Sequence, residues 1–235
     1  NSVGAGAGTD GAYKENPNGG HGFSFAPVKA RYMRFHNASA NTRNQSVWEE
    51  MQAYTSYSAG TELLSNSAAW RVTGGGTWSM NGGVLSQTGA QDRDSWDRSY
   101  TYTAKKFKNF ILEGAFTMKT SDPAAWGYVG FGLYKPEINN VQSDYDKGYY
   151  AVIEPRGRVL LWNGAKPELG PEDANVAGFA LGSEFTLRVI SVNNTVSISV
   201  NGKPVMYVEG DIFNREAGYI SIHGGLIPID VSKVR

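Results

Sequence analysis

The segment "FTLRVISVNNTVSISVNGKPVMYVEG" (residues 185–210) reads as three consecutive β-strands. Val196, Ile198 and Val200 alternate with polar residues, the period of two that turns one strand face toward a core. Asn193-Asn194 and Asn201-Gly202 separate the runs, and both pairs tolerate the left-handed backbone of a tight hairpin. Strands joined by such short turns pair antiparallel.

The same signals recur on both sides. Upstream, "FKNFILEGAFTMK" (107–119) alternates Phe110, Leu112, Gly114, Phe116 and Met118 inward against Glu113 and Thr117 outward. "SMNGGVLSQT" (79–88) places Asn81-Gly82-Gly83 between two strands. "WGYVGFGLY" (126–134) carries glycines that indicate bends or close backbone approach, and "GYYAVIEPRGRVLLW" (148–162) folds about Pro155-Arg156-Gly157. "AGYISIHGG" and "IDVSKVR" end the chain as strands. The expectation is an all-β antiparallel sandwich of about 10 to 13 strands over residues 62–235.

Composition agrees. Glycine (29), tyrosine (13) and tryptophan (6) are prominent, and amphipathic helical patterns are lacking. The 22 basic and 22 acidic residues cancel and are scattered, which speaks against a nucleic-acid partner. No apolar run approaches the roughly 20 residues of a membrane-spanning helix, so no membrane partner is expected. Cysteine is absent, which removes disulfides and cysteine zinc sites and suits a secreted bacterial protein. No cofactor requirement follows from any motif. A structural calcium remains compatible with such a sandwich, with Asp230 as its candidate ligand.

Residues 1–22 are glycine-rich and polar and read as loop. "FSFAPVKARYMRFHN" (23–37) and "SVWEEMQAYTSY" (46–57) read as strands, yet two or three strands cannot bury a core alone. "GTDGAYKEN", "VKARYMRF" and "SVWEEMQAY" together resemble the C-terminal part of a discoidin-like (coagulation-factor type C) jelly roll. The resemblance implies that residues 1–55 are an incomplete discoidin-like sandwich. Its missing strands would come from the N-terminal remainder of the same precursor, held as a second chain. Residues 56–61 read as a linker.

A second resemblance covers residues 62–235. A "GGTW…GGVLSQ" opening, a "DSW" loop, "FILEGAF", "GYYAVI", "FTLRV…ISVNG" strands and a closing "GYISI" follow one another in order. The order is similar to concanavalin-like jelly-roll carbohydrate-binding modules, above all the levan-binding family 66 attached to bacterial exo-levanases. Arg93-Asp94-Ser95-Trp96 stands where that family has G-D-S-F, and Lys147 to Glu154 where it has N-G-Y-L-A-N-V-D. The resemblance implies non-catalytic binding of a polysaccharide or oligosaccharide, with fructan as the prototype.

The residues alone suggest the same chemistry. Asp146, Glu154 and Arg158 around the 148–162 hairpin can bond vicinal hydroxyls, while Tyr149, Trp126 or Trp162 offers a ring to stack on a sugar. Tyr150 is an alternative ring. Asp94 and Trp96 lie in a second polar stretch, "AQDRDSWDRSY" (90–100). A retaining glycosidase needs two carboxylates about 5–5.5 Å apart. "EGDIFNRE" (209–216) starts that pattern with Glu209 and Asp211 but lacks the final glutamate, so no catalytic residue is assigned. His21, His36 and His223 are distant in sequence and no metal ligand set is assigned. The expectation is a sugar-targeting region of a secreted bacterial glycoside hydrolase or polysaccharide lyase. The alternatives are a catalytic sandwich sugar hydrolase and a structural spacer.

Overall fold

A computed structural model covers the 235 residues and describes 14–15, 21–22, 60–73, 75–88, 99–136, 138, 148–162, 169–170, 174–210 and 216–235. The chain divides into two compact units, Asn1–Gly60 and Thr61–Arg235. In the first, β1 (Lys14–Glu15) pairs antiparallel with β2 (His21–Gly22). That short ladder lies where the glycine-rich sequence suggests only loop. The two strands expected at 23–57 lie outside the described residues.

The second unit holds thirteen strands among its described residues: β3 (Trp70–Val72), β4 (Trp78–Asn81), β5 (Val84–Gln87), β6 (Ser99–Phe107), β7 (Phe110–Met118), β8 (Tyr128–Lys135), β9 (Tyr149–Ile153), β10 (Val159–Trp162), β11 (Phe185–Val192), β12 (Thr195–Val200), β13 (Lys203–Glu209), β14 (Gly218–Gly225) and β15 (Ile229–Val234). They form two antiparallel sheets. One runs β10-β9-β8-β14-β6-β3 and the other β13-β12-β11-β7-β15-β5-β4. This is the all-β sandwich the alternation predicts.

The hairpin residues behave as their chemistry requires. Asn193 (φ 54°), Asn201 (φ 51°) and Gly202 (φ 73°) take the left-handed region at the β11–β12 and β12–β13 turns. Asn201 Oδ1 also accepts the Thr186 N–H (2.9 Å), which pins the second turn to β11. β13 is an edge strand, and Lys203 and Pro204 at its start blunt the exposed ladder.

The core lies between the sheets. Phe116 is its centre, with ring contacts to Phe131 (5.1 Å) and Phe185 (5.9 Å), and Leu187, Ile198, Ile222 and Val231 are equally buried. The open side between edge strands β3 and β4 is closed by aromatic stacking. Tyr100 lies between Trp70 (5.5 Å) and Trp78 (5.4 Å), and each indole N–H donates to a backbone carbonyl, of Leu63 and Gly75 respectively. Two of the six tryptophans are thereby structural.

Tyr134 ties three elements together. Its backbone is left-handed (φ 57°), its hydroxyl donates to the Lys108 carbonyl (2.7 Å), and Ser191 Oγ lies 2.7 Å away. Burial raises its pKa above the tyrosine norm, the Ser191 hydrogen bond opposing and Tyr149 reinforcing the shift. A raised folded-state pKa favours folding fully below the unfolded value of about 10 and loses that contribution as pH rises through the folded value. Tyr134→Phe is expected to lower stability by about 1 kcal/mol at neutral pH. It should also flatten the alkaline loss above about pH 10, read from urea midpoints across that range.

Candidate functional site

The outer face of the six-stranded sheet departs from a plain solvated surface. Register sets its side chains in rows across the strands. One row is Leu160, Val152, Gly130, His223 and Ser99; the next is Trp162, Tyr150, Gly132, Ser221, Thr101 and Arg71. Tyr128 extends the same face on β8, two residues from Gly130. Most of these side chains are buried although they point away from the core between the sheets.

Four rings touch on this face. His223 stacks on Tyr128 (5.2 Å, 11° between planes) and meets Tyr150 at 4.5 Å. Trp162 meets Tyr128 at 5.7 Å and Tyr150 at 5.6 Å, which closes the ring of contacts. None of the four belongs to the cluster between the sheets. The glycines of β8 permit close packing: a Cβ at Gly130 would overlap the Ala151 carbonyl oxygen of β9. At Gly132 a Cβ would overlap Ser221 Oγ, so the hydroxyl fills the place of a side chain. Ser221 Oγ is buried and makes no hydrogen bond among the described residues.

Hydroxyls continue the face toward β3. Thr73 Oγ1 and Thr101 Oγ1 share a 2.6 Å hydrogen bond, Thr103 Oγ1 donates to the Ala69 carbonyl (2.8 Å), and Ser99 Oγ lies 3.2 Å from His223 Nδ1. At the far edge Arg71 Nη1 donates to the Ala68 and Trp70 carbonyls, both at 2.9 Å, with its side chain exposed. Flat aromatic carbon beside hydroxyls and a guanidinium can meet the C–H face and the hydroxyl rim of a sugar.

The sequence candidates divide. Trp162 belongs to the ring quartet. Glu154 and Arg158 pair across the end of the β9–β10 hairpin through the Glu154 N–H to Arg158 carbonyl bond (2.8 Å), on the same side as Trp162 by alternation. Arg156 Nε donates to Glu154 Oε2 at 2.7 Å, so that carboxylate carries an ion pair at the turn. Trp126 precedes β8 at this end of the sheet and is 74% exposed. Gly127 fixes it there: φ is 145°, and a Cβ would overlap the Gly225 carbonyl oxygen. That carbonyl accepts the Ile227 N–H (2.8 Å) around left-handed Leu226, a rare and strained three-residue turn.

Tyr149 is not on this face. It is 3% exposed and packs edge-on against Tyr134 at 6.3 Å inside the core, so its ring has no free side for a sugar. Its neighbour Tyr150 takes the outer position, because adjacent strand residues face opposite ways. Asp94, Trp96 and Asp146 lie outside the described residues. Asp230, the calcium candidate, pairs with Lys119 Nζ at 2.5 Å and accepts from Ser86 Oγ at 2.8 Å. Among the described residues no three metal-binding side chains gather.

Tyr128 and Ser221 carry no signal in the sequence reading, and His223 enters it only among histidines that form no ligand set. Their shared feature is parity in strands that pair at known register, a long-range property that one sequence does not display.

Comparison with known proteins places the fold. No family model matches the chain, and no curated protein is detectably similar in sequence. Among solved structures, the carbohydrate-binding module CBM66 from Bacillus subtilis superimposes with a TM-score of 0.54 at 15% identity, over 71% of this chain and 93% of that one. A Bacillus subtilis protein of unknown function with a galectin-like fold gives 0.51 at 17% identity, over 73% and 91%. The Emp46p carbohydrate recognition domain, potassium-bound, gives 0.50 at 11% identity, over 75% and 91%. At these identities the likeness is one of fold, that of the concanavalin- and galectin-like sandwiches.

Proposed function

We propose that residues 61–235 form a non-catalytic carbohydrate-binding module whose ligand lies on the outer face of the six-stranded sheet. The observation that carries this reading is the aromatic quartet on that face beside a row of hydroxyls, with Trp126 exposed at its rim. Rings that bury area against each other while keeping polar handles suit a ligand that is half apolar and half hydroxyl. Trp96 and Asp94, outside the described residues, are proposed as further ligand contacts. They stand three and five residues before Ser99 in the sequence. Asp146 stands three residues before Tyr149, the first residue of β9.

Two acids of the sequence reading, Glu154 and Glu209, are separated onto different sheets, which supports binding over cutting. Glu154 is held by Arg156, and Glu209 closes β13 on the other sheet, where Asn194 Nδ2 donates to it at 3.1 Å. The module would serve a larger secreted bacterial polysaccharide-degrading enzyme by raising its concentration on the polymer, weak contacts gaining from tethering. Residues 1–55 would be the discoidin-like companion, completed by the N-terminal remainder of the precursor.

Native electrophoresis of the full chain through gels cast with levan, inulin, xylan, α- and β-glucans and bacterial exopolysaccharides tests the reading. Retardation by one polymer class is the expected result. Unchanged mobility in every gel would sink it.

A further inference from the structure

We propose that His223 is a positioning residue of the ligand-binding face: its imidazole is the wedge that sets Tyr128 and Tyr150, and through them Trp162, while Ser99 fixes the wedge. The inference rests on the reading of that face given above.

His223 is 2% exposed, yet it points away from the core between the sheets. Its cross-strand neighbour on β8 is Gly130, which offers no side chain, so the imidazole can lean over β8 toward β9. There it touches both tyrosines, nearly parallel to Tyr128 (11°) and inclined to Tyr150 (47°). Those tyrosines are the only two of the described rings in contact with both His223 and Trp162. Removing the wedge therefore frees one side of each.

An aromatic ring in a packed cluster keeps one soft motion, rotation about the bond joining it to the backbone side. Ser99, fully buried on β6, restrains that motion through its 3.2 Å hydrogen bond to Nδ1. A phenylalanine would fill the space and lack this restraint. A residue needed only for packing would be served as well by that phenylalanine; one that sets ring angles would not.

The test uses the full chain and three variants, His223→Ala, His223→Phe and Ser99→Ala, with near-ultraviolet circular dichroism, urea midpoints and mobility in the polymer gels. His223→Ala should lose most of the aromatic band and bind the retarding polymer about tenfold more weakly. His223→Phe and Ser99→Ala should bind about threefold more weakly while their urea midpoints stay within those of a folded chain. That split between affinity and stability is what simple packing would not give. If His223→Ala does not fold, the other two variants decide. Wild-type affinity and an unaltered aromatic band in both would overturn the proposal. Should the unmodified chain be retarded by no polymer, the ligand reading fails. The aromatic bands of the variants would then still decide whether the imidazole sets the rings.

Discussion

Phe116→Ala is expected to destabilise the second unit by about 3–5 kcal/mol, the range for truncating a fully buried phenylalanine. Phe116 is fully buried on β7, the strand between β11 and β15, and its ring meets Phe131 of the opposite sheet edge-on at 5.1 Å with 73° between planes. Alanine leaves a cavity that β-sheet backbones on both sides cannot collapse to fill, so the lost contacts add to the lost burial. Since native domains hold only about 5–15 kcal/mol in total, the variant should sit near the edge of folding. A urea titration followed by tryptophan fluorescence reads the effect as a lower midpoint at unchanged slope. A loss below about 1 kcal/mol would mean that Phe116 does not join the two sheets.

Trp162→Ala is the second large effect, and it falls on binding. Trp162 is half-buried on edge strand β10 and touches both tyrosines of the quartet. Its removal takes away a ring and loosens two others. Affinity for the retarding polymer is expected to drop at least about tenfold, or about 1.4 kcal/mol. Stability should fall less than in Phe116→Ala, because the indole is not enclosed between the sheets. Affinity within about twofold of the unmodified chain would show that the ligand does not depend on these rings.

The parts of the fold that were legible in sequence are those with local causes. Val196, Ile198 and Val200 alternate, and Asn193 and Asn201 take the left-handed turns that their side chains permit. Phe116 and Met118 point inward and Glu113 outward, where it pairs with Arg235 at 2.5 Å. The site was less legible because it depends on register. The sequence reading favours Tyr149 over Tyr150, and only pairing with β8 and β10 decides that Tyr150 is the one that leaves the core. The Asp230–Lys119 pair is hidden for the same reason, since the two are remote along the chain. Trp70 and Trp78 look like sugar platforms by type, yet their stacking on Tyr100 closes the sandwich side. The pairing of Lys14–Glu15 with His21–Gly22 hides behind a glycine-rich composition that argues for loop.

The most direct test of the binding face compares two exposed aromatic residues, one beside each sheet's end or edge, in the same polymer gels. Trp126, 74% exposed, sits at the rim of the six-stranded sheet's face; Tyr207, 43% exposed, lies on β13 of the other sheet. Neither is buried enough for alanine to disturb folding by more than about 0.5 kcal/mol, so mobility reports binding alone. The account predicts that Trp126→Ala runs as if the polymer were absent while Tyr207→Ala is retarded like the unmodified chain. Full retardation of Trp126→Ala together with loss in Tyr207→Ala would contradict it and move the ligand to the seven-stranded sheet.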